Sequence, residues 1–123
     1  MELTDADRVW NRACAVELGA RGPGDWHLWA LLRVHNSVMA GGTGFAAEIW
    51  SSGDVARAAE AAGYFGLASL ADLLARLTEV EDPDMAEETY GDLYPTVVPA
   101  DSLLDEAFKR RFAAAPQDFE PLS

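Results

Sequence analysis

Apolar residues recur at three- and four-residue spacing along almost the whole chain, the period of amphipathic helices, while two-residue alternation is nearly absent. Thr4 followed by Asp7 has the form of a capping pair. It opens a first helix whose apolar face runs through Val9, Trp10, Ala13, Cys14 and Ala15 to Leu18 and ends near Gly19. Arg21-Gly22-Pro23-Gly24 predicts a break. Asp25 to Met39 is apolar on nearly every side, through Trp26, Leu28, Trp29, Ala30, Leu31, Leu32, Val34, Val38 and Met39. A helix hydrophobic around most of its circumference belongs at the centre of a core.

Ala40-Gly41-Gly42-Thr43-Gly44 interrupts this pattern, and Phe45, Ala46, Ile49 and Trp50 form a short amphipathic segment beyond it. Ser51 and Asp54 make a second capping pair, before an alanine-rich helix from about Asp54 to Ala62 that Gly63 is expected to close. Leu67, Leu70, Leu74 and Leu77 then define the clearest helical face, with Asp72 and Arg76 an i, i+4 ion pair outside it and Pro83 its stop. A short helix is expected after Pro83, capped by Asp84. Tyr94 to Pro99 is the one β-like stretch, and its bracketing prolines predict an extended connector. A last helix starts at Asp101 or Ser102 and buries Leu103, Leu104, Ala107, Phe108 and Phe112 before Pro116. The pattern predicts an all-α fold: a single compact domain over residues 1–123, with five to seven helices around a central hydrophobic helix.

Composition agrees, because 50% of the 123 residues are apolar, too many for a disordered acidic tail. Cys14 is the only cysteine, which excludes an intrachain disulfide and a cysteine-based zinc site. No apolar run is long enough to span a bilayer, and charges interrupt the first twenty residues, so a cytoplasmic protein without membrane contact is expected.

Charge changes the picture more. Of the formal net charge of −12, most sits between Leu77 and Phe108, which holds ten carboxylates and no lysine, arginine or histidine. Asp84, Glu87 and Glu88 suit the start of a helix, as do Asp101, Asp105 and Glu106. Asp105 and Glu106 also precede Lys109 and Arg110 by four residues. Glu79, Glu81 and Asp82 instead crowd the end of the leucine-periodic helix, where the dipole disfavours them by about 0.3 to 1 kcal/mol each. Asp92 has no basic neighbour in sequence.

A negative surface of this density attracts basic partners and repels nucleic acid. The expected binding residues are Glu79, Glu81, Asp82, Asp84, Glu87, Glu88 and Asp92, and the expected partner is a basic protein, either a DNA-binding regulator or a toxin. Carboxylates three or four apart on a helix lie about 5 to 6 Å from one another, a spacing that can occupy a groove built for phosphates. Trp10, Trp50, Tyr64 and Phe65 offer apolar surface for a homodimer.

The segment from Val34-His35-Asn36 through Gly41-Gly42-Thr43-Gly44-Phe45 to Ser51-Ser52-Gly53 and Gly66-Leu67, with the closing Leu104-Asp105-Glu106-Ala107-Phe108, Phe112, Pro116 and Phe119, resembles a bacterial all-helical family of unknown function. The founding member of that family is described as a DNA-mimic protein that binds a transcription factor. The resemblance implies a helical fold and a regulatory binding role.

Enzymatic alternatives rest on thinner patterns, and no catalytic residue, metal or cofactor is expected. Gly41-Gly42-Thr43-Gly44 could offer backbone N–H groups to an anion, but it lacks the lysine of a phosphate loop, and a close-packing turn fits it better. His27 and His35 project about 80° apart on the central helix, so a small ligand-binding domain or enzyme built on His27, His35 and Gly41 to Gly44 is the alternative. His35 reads better as a hydrogen-bonded core group. Cys14 reads as a buried, inert thiol. Ser51 and Ser52 lack the glycines of a nucleophile elbow, and the turn at Gly53 breaks any common face for Glu48 and Glu60.

Overall fold

The computed structural model describes residues 4–14 and 22–119. Within them lie seven α-helices and no strand: α1 (Asp5–Ala13), α2 (Pro23–Ile49), α3 (Ser52–Tyr64), α4 (Ala68–Leu77), α5 (Pro83–Tyr90), α6 (Tyr94–Val97) and α7 (Ser102–Ala114), then a 3₁₀ turn at Pro116–Asp118. The expected end of the first helix, Ala15 to Gly19, and Arg21 fall outside the described residues.

Local chemistry sets most of the boundaries. Thr4 and Ser51 form capping boxes with Asp7 and Asp54, each hydroxyl accepting from the N3 backbone while the aspartate returns a bond to the cap. Gly22 caps α2 and Pro23 occupies its first turn, where a missing N–H costs nothing. Gly63, expected to close α3, lies inside it. The stop is Gly66, at φ 78°, with Leu67 N–H donating to the Ala62 carbonyl and Gly66 N–H to that of Gly63. This is a Schellman closure, which needs the left-handed residue that glycine supplies without strain.

Two further expectations change. Pro83 does not stop α4, which ends at Leu77, but opens α5. Tyr94 to Val97 is a helical turn instead of an extended connector, because Pro95 falls in its first turn and a buried anchor holds Tyr94. The backbone leaves helical geometry at Val98, the residue before Pro99, where φ is −125° and ψ 81°.

The central helix is α2, packed against α1, α3 and α5. Leu28, Leu31, Leu32, Val34 and Val38 are buried on it, and Leu70, Leu73, Leu74 and Leu77 of α4 join the same core. Asp25 is also fully buried, held by Arg12 through bonds of 2.6 and 3.1 Å that tie α1 to α2. A charge at that depth requires such a partner. α7 is fastened by aromatic contacts: Phe108, fully buried, meets Trp10, Phe65, Phe112 and Phe119 at centroid distances of 5.6 to 6.4 Å. Phe65 is therefore core and supplies no dimer surface, whereas Trp10, Trp50 and Tyr64 remain half-buried.

Candidate functional site

The acidic segment is built from the end of α4, the turn after it, and α5. Thr78 caps α4, and Glu79 and Val80 fold into a turn whose N–H groups return to the Arg76 and Leu77 carbonyls. Asp82, not Asp84, caps α5, its carboxylate accepting from Asp84 N–H at 3.0 Å. Glu79, Glu81, Asp82, Asp84, Glu87, Glu88 and Asp92 are all exposed. Ala86 is buried beneath α5, so Asp84 and Glu88, one turn apart, ride its outer side. Eight helical residues span only about 12 Å, which keeps these charges close together.

None of the seven forms an ion pair among the described residues. Six of the described bases are engaged elsewhere: Arg12 with Asp25, Arg33 and Arg57 with Asp54, Arg76 with Asp72, Lys109 with Asp105 and Arg111 with Asp118. The expected Asp72–Arg76 and Asp105–Lys109 pairs are present at 3.0 and 2.9 Å. Glu106 and Arg110 are exposed and make no such pair.

Glu87 differs from its neighbours. α2 kinks at Gly42, where φ is 89° and ψ 175°, a conformation open to glycine. The helix restarts at Thr43, whose hydroxyl lies 3.1 Å from both the Ala86 carbonyl and Glu87 Oε2. Gly44 N–H points at the same oxygen from 3.5 Å. A methyl group on Gly44 would stand 2.7 Å from the Pro83 carbonyl, so α5 seats there only because the side chain is absent. The turn is thus a packing device, and the Gly44 N–H faces the protein's own carboxylate.

The two histidines occupy separate clusters. His35 is 1% exposed, with Nδ1 2.7 Å from the Tyr94 hydroxyl and Nε2 2.8 Å from Asp101 Oδ1. An ionised carboxylate only accepts, which puts the proton of a neutral ring on Nε2 and makes Tyr94 O–H the donor to Nδ1. Burial pushes the Tyr94 phenol well up, so it stays protonated. Asp101, taken up by His35, makes no capping bond to α7.

His27 stacks on Tyr64 at 4.3 Å, and burial holds its imidazole below the ordinary value against the opposing field of Glu60. Tyr64 donates to Asp118 at 2.6 Å, and the Arg111 guanidinium lies 4.1 Å from its ring. The structure therefore does not gather His27, His35 and Gly41 to Gly44 into one site. Among the described residues, no group of histidine, cysteine and carboxylate side chains could hold a metal ion.

Cys14, expected to be buried, is exposed at the end of α1, and desolvation raises its thiol above the usual value. Sequence reasoning missed the stacking of Arg33 between Trp29 and Trp50, at 4.0 and 4.7 Å. The i, i+4 spacing of Trp29 and Arg33 was the available signal.

The fold and the site define an all-α, single-domain protein whose acidic segment is without ion pairs among the described residues. No protein-family model, curated protein or solved structure matches the chain. Among the described residues, no helix is long and apolar enough to cross a membrane.

Proposed function

We propose that this chain is a non-catalytic binding protein that engages a basic protein partner through Glu79, Glu81, Asp84, Glu88 and Asp92. One observation carries the reading: these five carboxylates are exposed and lack ion pairs among the described residues, while the nearest bases in sequence, Arg76 and Lys109, are paired to other acids. Such a surface lowers its own electrostatic energy by meeting positive charge. Asp82 and Glu87 support the surface from beneath, as the cap of α5 and the brace of the α2 kink. Imitation of nucleic acid belongs to the same proposal, since Asp84 and Glu88 have the spacing of neighbouring helical carboxylates, about 5 to 6 Å, and the family resemblance points the same way.

The test is affinity capture from the native cell extract on wild-type protein and on a Glu79→Gln, Glu81→Gln, Asp84→Asn, Glu88→Gln, Asp92→Asn variant. A basic protein held by the wild type, absent from the variant, released steeply by rising salt and displaced by duplex DNA is the expected result. Retention that ignores salt, or equal retention by both proteins, overturns the reading.

A further inference from the structure

We infer that the cleft where the end of α2, the first turn of α3 and the turn after α4 meet binds a small organic cation, a protonated amine carrying a short apolar or aromatic body. The cleft has a volume of about 340 Å³, at the lower end of the roughly 300 to 1,000 Å³ of small-molecule sites. Its floor is apolar, because Val55 of α3 and Leu77 of α4 line it and both are buried. Ala47, Trp50 and Val80 are half-buried and complete the apolar part.

Local structure holds these walls in place. The Ser51–Asp54 capping box sets the start of α3. The Trp50 indole N–H donates to the Ser37 hydroxyl at 2.9 Å, and its ring lies 4.7 Å from the Arg33 guanidinium, so the indole is fixed at two points. Beyond Leu77 the chain turns at once, with Val80 N–H returning to the Leu77 carbonyl, and Glu81 joins the lining.

Charge selects the ligand. Glu81 is the one charged side chain on the lining, and it is exposed and makes no ion pair among the described residues. Two of the three hydroxyls there already serve the fold, Ser51 in its capping box and Thr78 as donor to the Ala75 carbonyl, which leaves Ser52 and the Glu81 carboxylate to a ligand. An ionised carboxylate only accepts, so it calls for a donor, and its charge repels phosphates and other carboxylates. An ammonium group at Glu81 with its hydrocarbon on the Val55–Leu77 floor satisfies both parts of the cleft. A purely apolar molecule leaves the carboxylate unanswered, and a purely hydrophilic cation leaves the floor wet. The inference stands apart from the basic-partner reading, since of the acidic segment it requires Glu81 alone.

The probes are phenethylammonium, the uncharged phenethyl alcohol of nearly the same shape, and ethylammonium, which keeps the charge without the ring. Each is titrated into isotope-labelled protein and followed by nuclear magnetic resonance at the Trp50 indole N–H and the Val55, Val80 and Glu81 amides. Phenethylammonium is expected to shift these signals saturably and to bind about fivefold more tightly than phenethyl alcohol, the upper end for an exposed ion pair. It is expected to bind about tenfold more tightly than ethylammonium, the scale of one buried apolar side chain. Glu81→Gln, at an exposed position that leaves the fold alone, should bring phenethylammonium down to the affinity of the alcohol. Glu79→Gln, which removes an equal charge off the lining, should change it by less than about twofold. Ala47→Leu, which fills part of the cleft, should weaken both aromatic probes.

No saturation by phenethylammonium, equal affinity for it and the alcohol, a loss in Glu79→Gln as large as in Glu81→Gln, or shifts that miss the Trp50 indole would each overturn the site. Such a result leaves the basic-partner reading standing, because affinity capture tests that reading without the amine; failed capture with amine binding intact removes the partner and keeps the site.

Discussion

Glu87 and Glu88 are adjacent, exposed and chemically identical, yet only Glu87 turns back onto the fold while Glu88 belongs to the proposed binding surface, and replacing each by alanine separates the two roles. Glu87 accepts from the Thr43 hydroxyl at 3.1 Å and faces Gly44 N–H at 3.5 Å, where α2 restarts after its kink. A hydrogen bond to a charged group contributes about 1.5 to 3 kcal/mol, and a carboxylate at a helix start about 0.3 to 1 kcal/mol. The upper ends do not apply, because Glu87 is exposed and Thr43 keeps the Ala86 carbonyl as a second acceptor at 3.1 Å. Glu87→Ala should thus cost about 1 to 2 kcal/mol. For 123 residues at about 2.1 cal/mol/K each, that lowers Tm by roughly 4 to 8 °C. Glu88→Ala should change stability by no more than about 0.5 kcal/mol, in the stabilising direction, since it relieves repulsion from Asp84 one turn away. Thermal and urea unfolding followed by circular dichroism measure both. The capture assay should reverse the order, with Glu88→Ala weakening retention of the basic partner and Glu87→Ala leaving it nearly unchanged. Equal stability losses, or a Glu87→Ala protein of wild-type Tm that has lost binding, would refute the division.

Tyr94→Phe strands the His35 Nδ1 acceptor in the core and should cost about 1 to 3 kcal/mol. Asp101→Asn keeps an acceptor near Nε2 at a site 72% exposed to water and should cost less than half as much; a larger loss for Asp101→Asn in urea unfolding would show that the bridge is not anchored from the buried side. His27 makes a pH prediction. Burial lowers its folded value, so the unfolded chain takes up the proton first as pH falls. The stability it supports is complete above the ordinary histidine value, about 6.5, and declines as the pH drops through that value toward the lowered one. His27→Gln should flatten the urea midpoint between about pH 7 and pH 5, and an unaltered slope would exclude the mechanism.

Features whose cause lies within one or two turns were legible in the sequence. The Thr4–Asp7 and Ser51–Asp54 capping boxes, the buried face of Leu67, Leu70, Leu74 and Leu77, and the Asp72–Arg76 pair all follow from spacing alone. His35 was legible as a core group, but its partners were not. Tyr94 and Asp101 lie 59 and 66 residues away, and only the packing of α6 and the start of α7 against α2 brings them to the ring. The same limit explains the connector that became a helical turn, since the anchor of Tyr94 is tertiary.

Charge density was countable in the sequence, but the direction of each carboxylate was not, and direction decides function. Of the ten acids between Leu77 and Phe108, Asp101 turns to His35, Asp105 to Lys109, Glu87 to the kink of α2 and Asp82 to the first turn of α5. These four lower the energy of the fold itself. The other six, Glu79, Glu81, Asp84, Glu88, Asp92 and Glu106, form no ion pair among the described residues, and the first five, close together in the chain, carry their mutual repulsion. A solvated surface could tolerate that repulsion anywhere on the protein. Its concentration in the short stretch from the end of α4 to just past α5 is what the proposed basic partner would relieve, because opposite charge lowers the energy of all five at once.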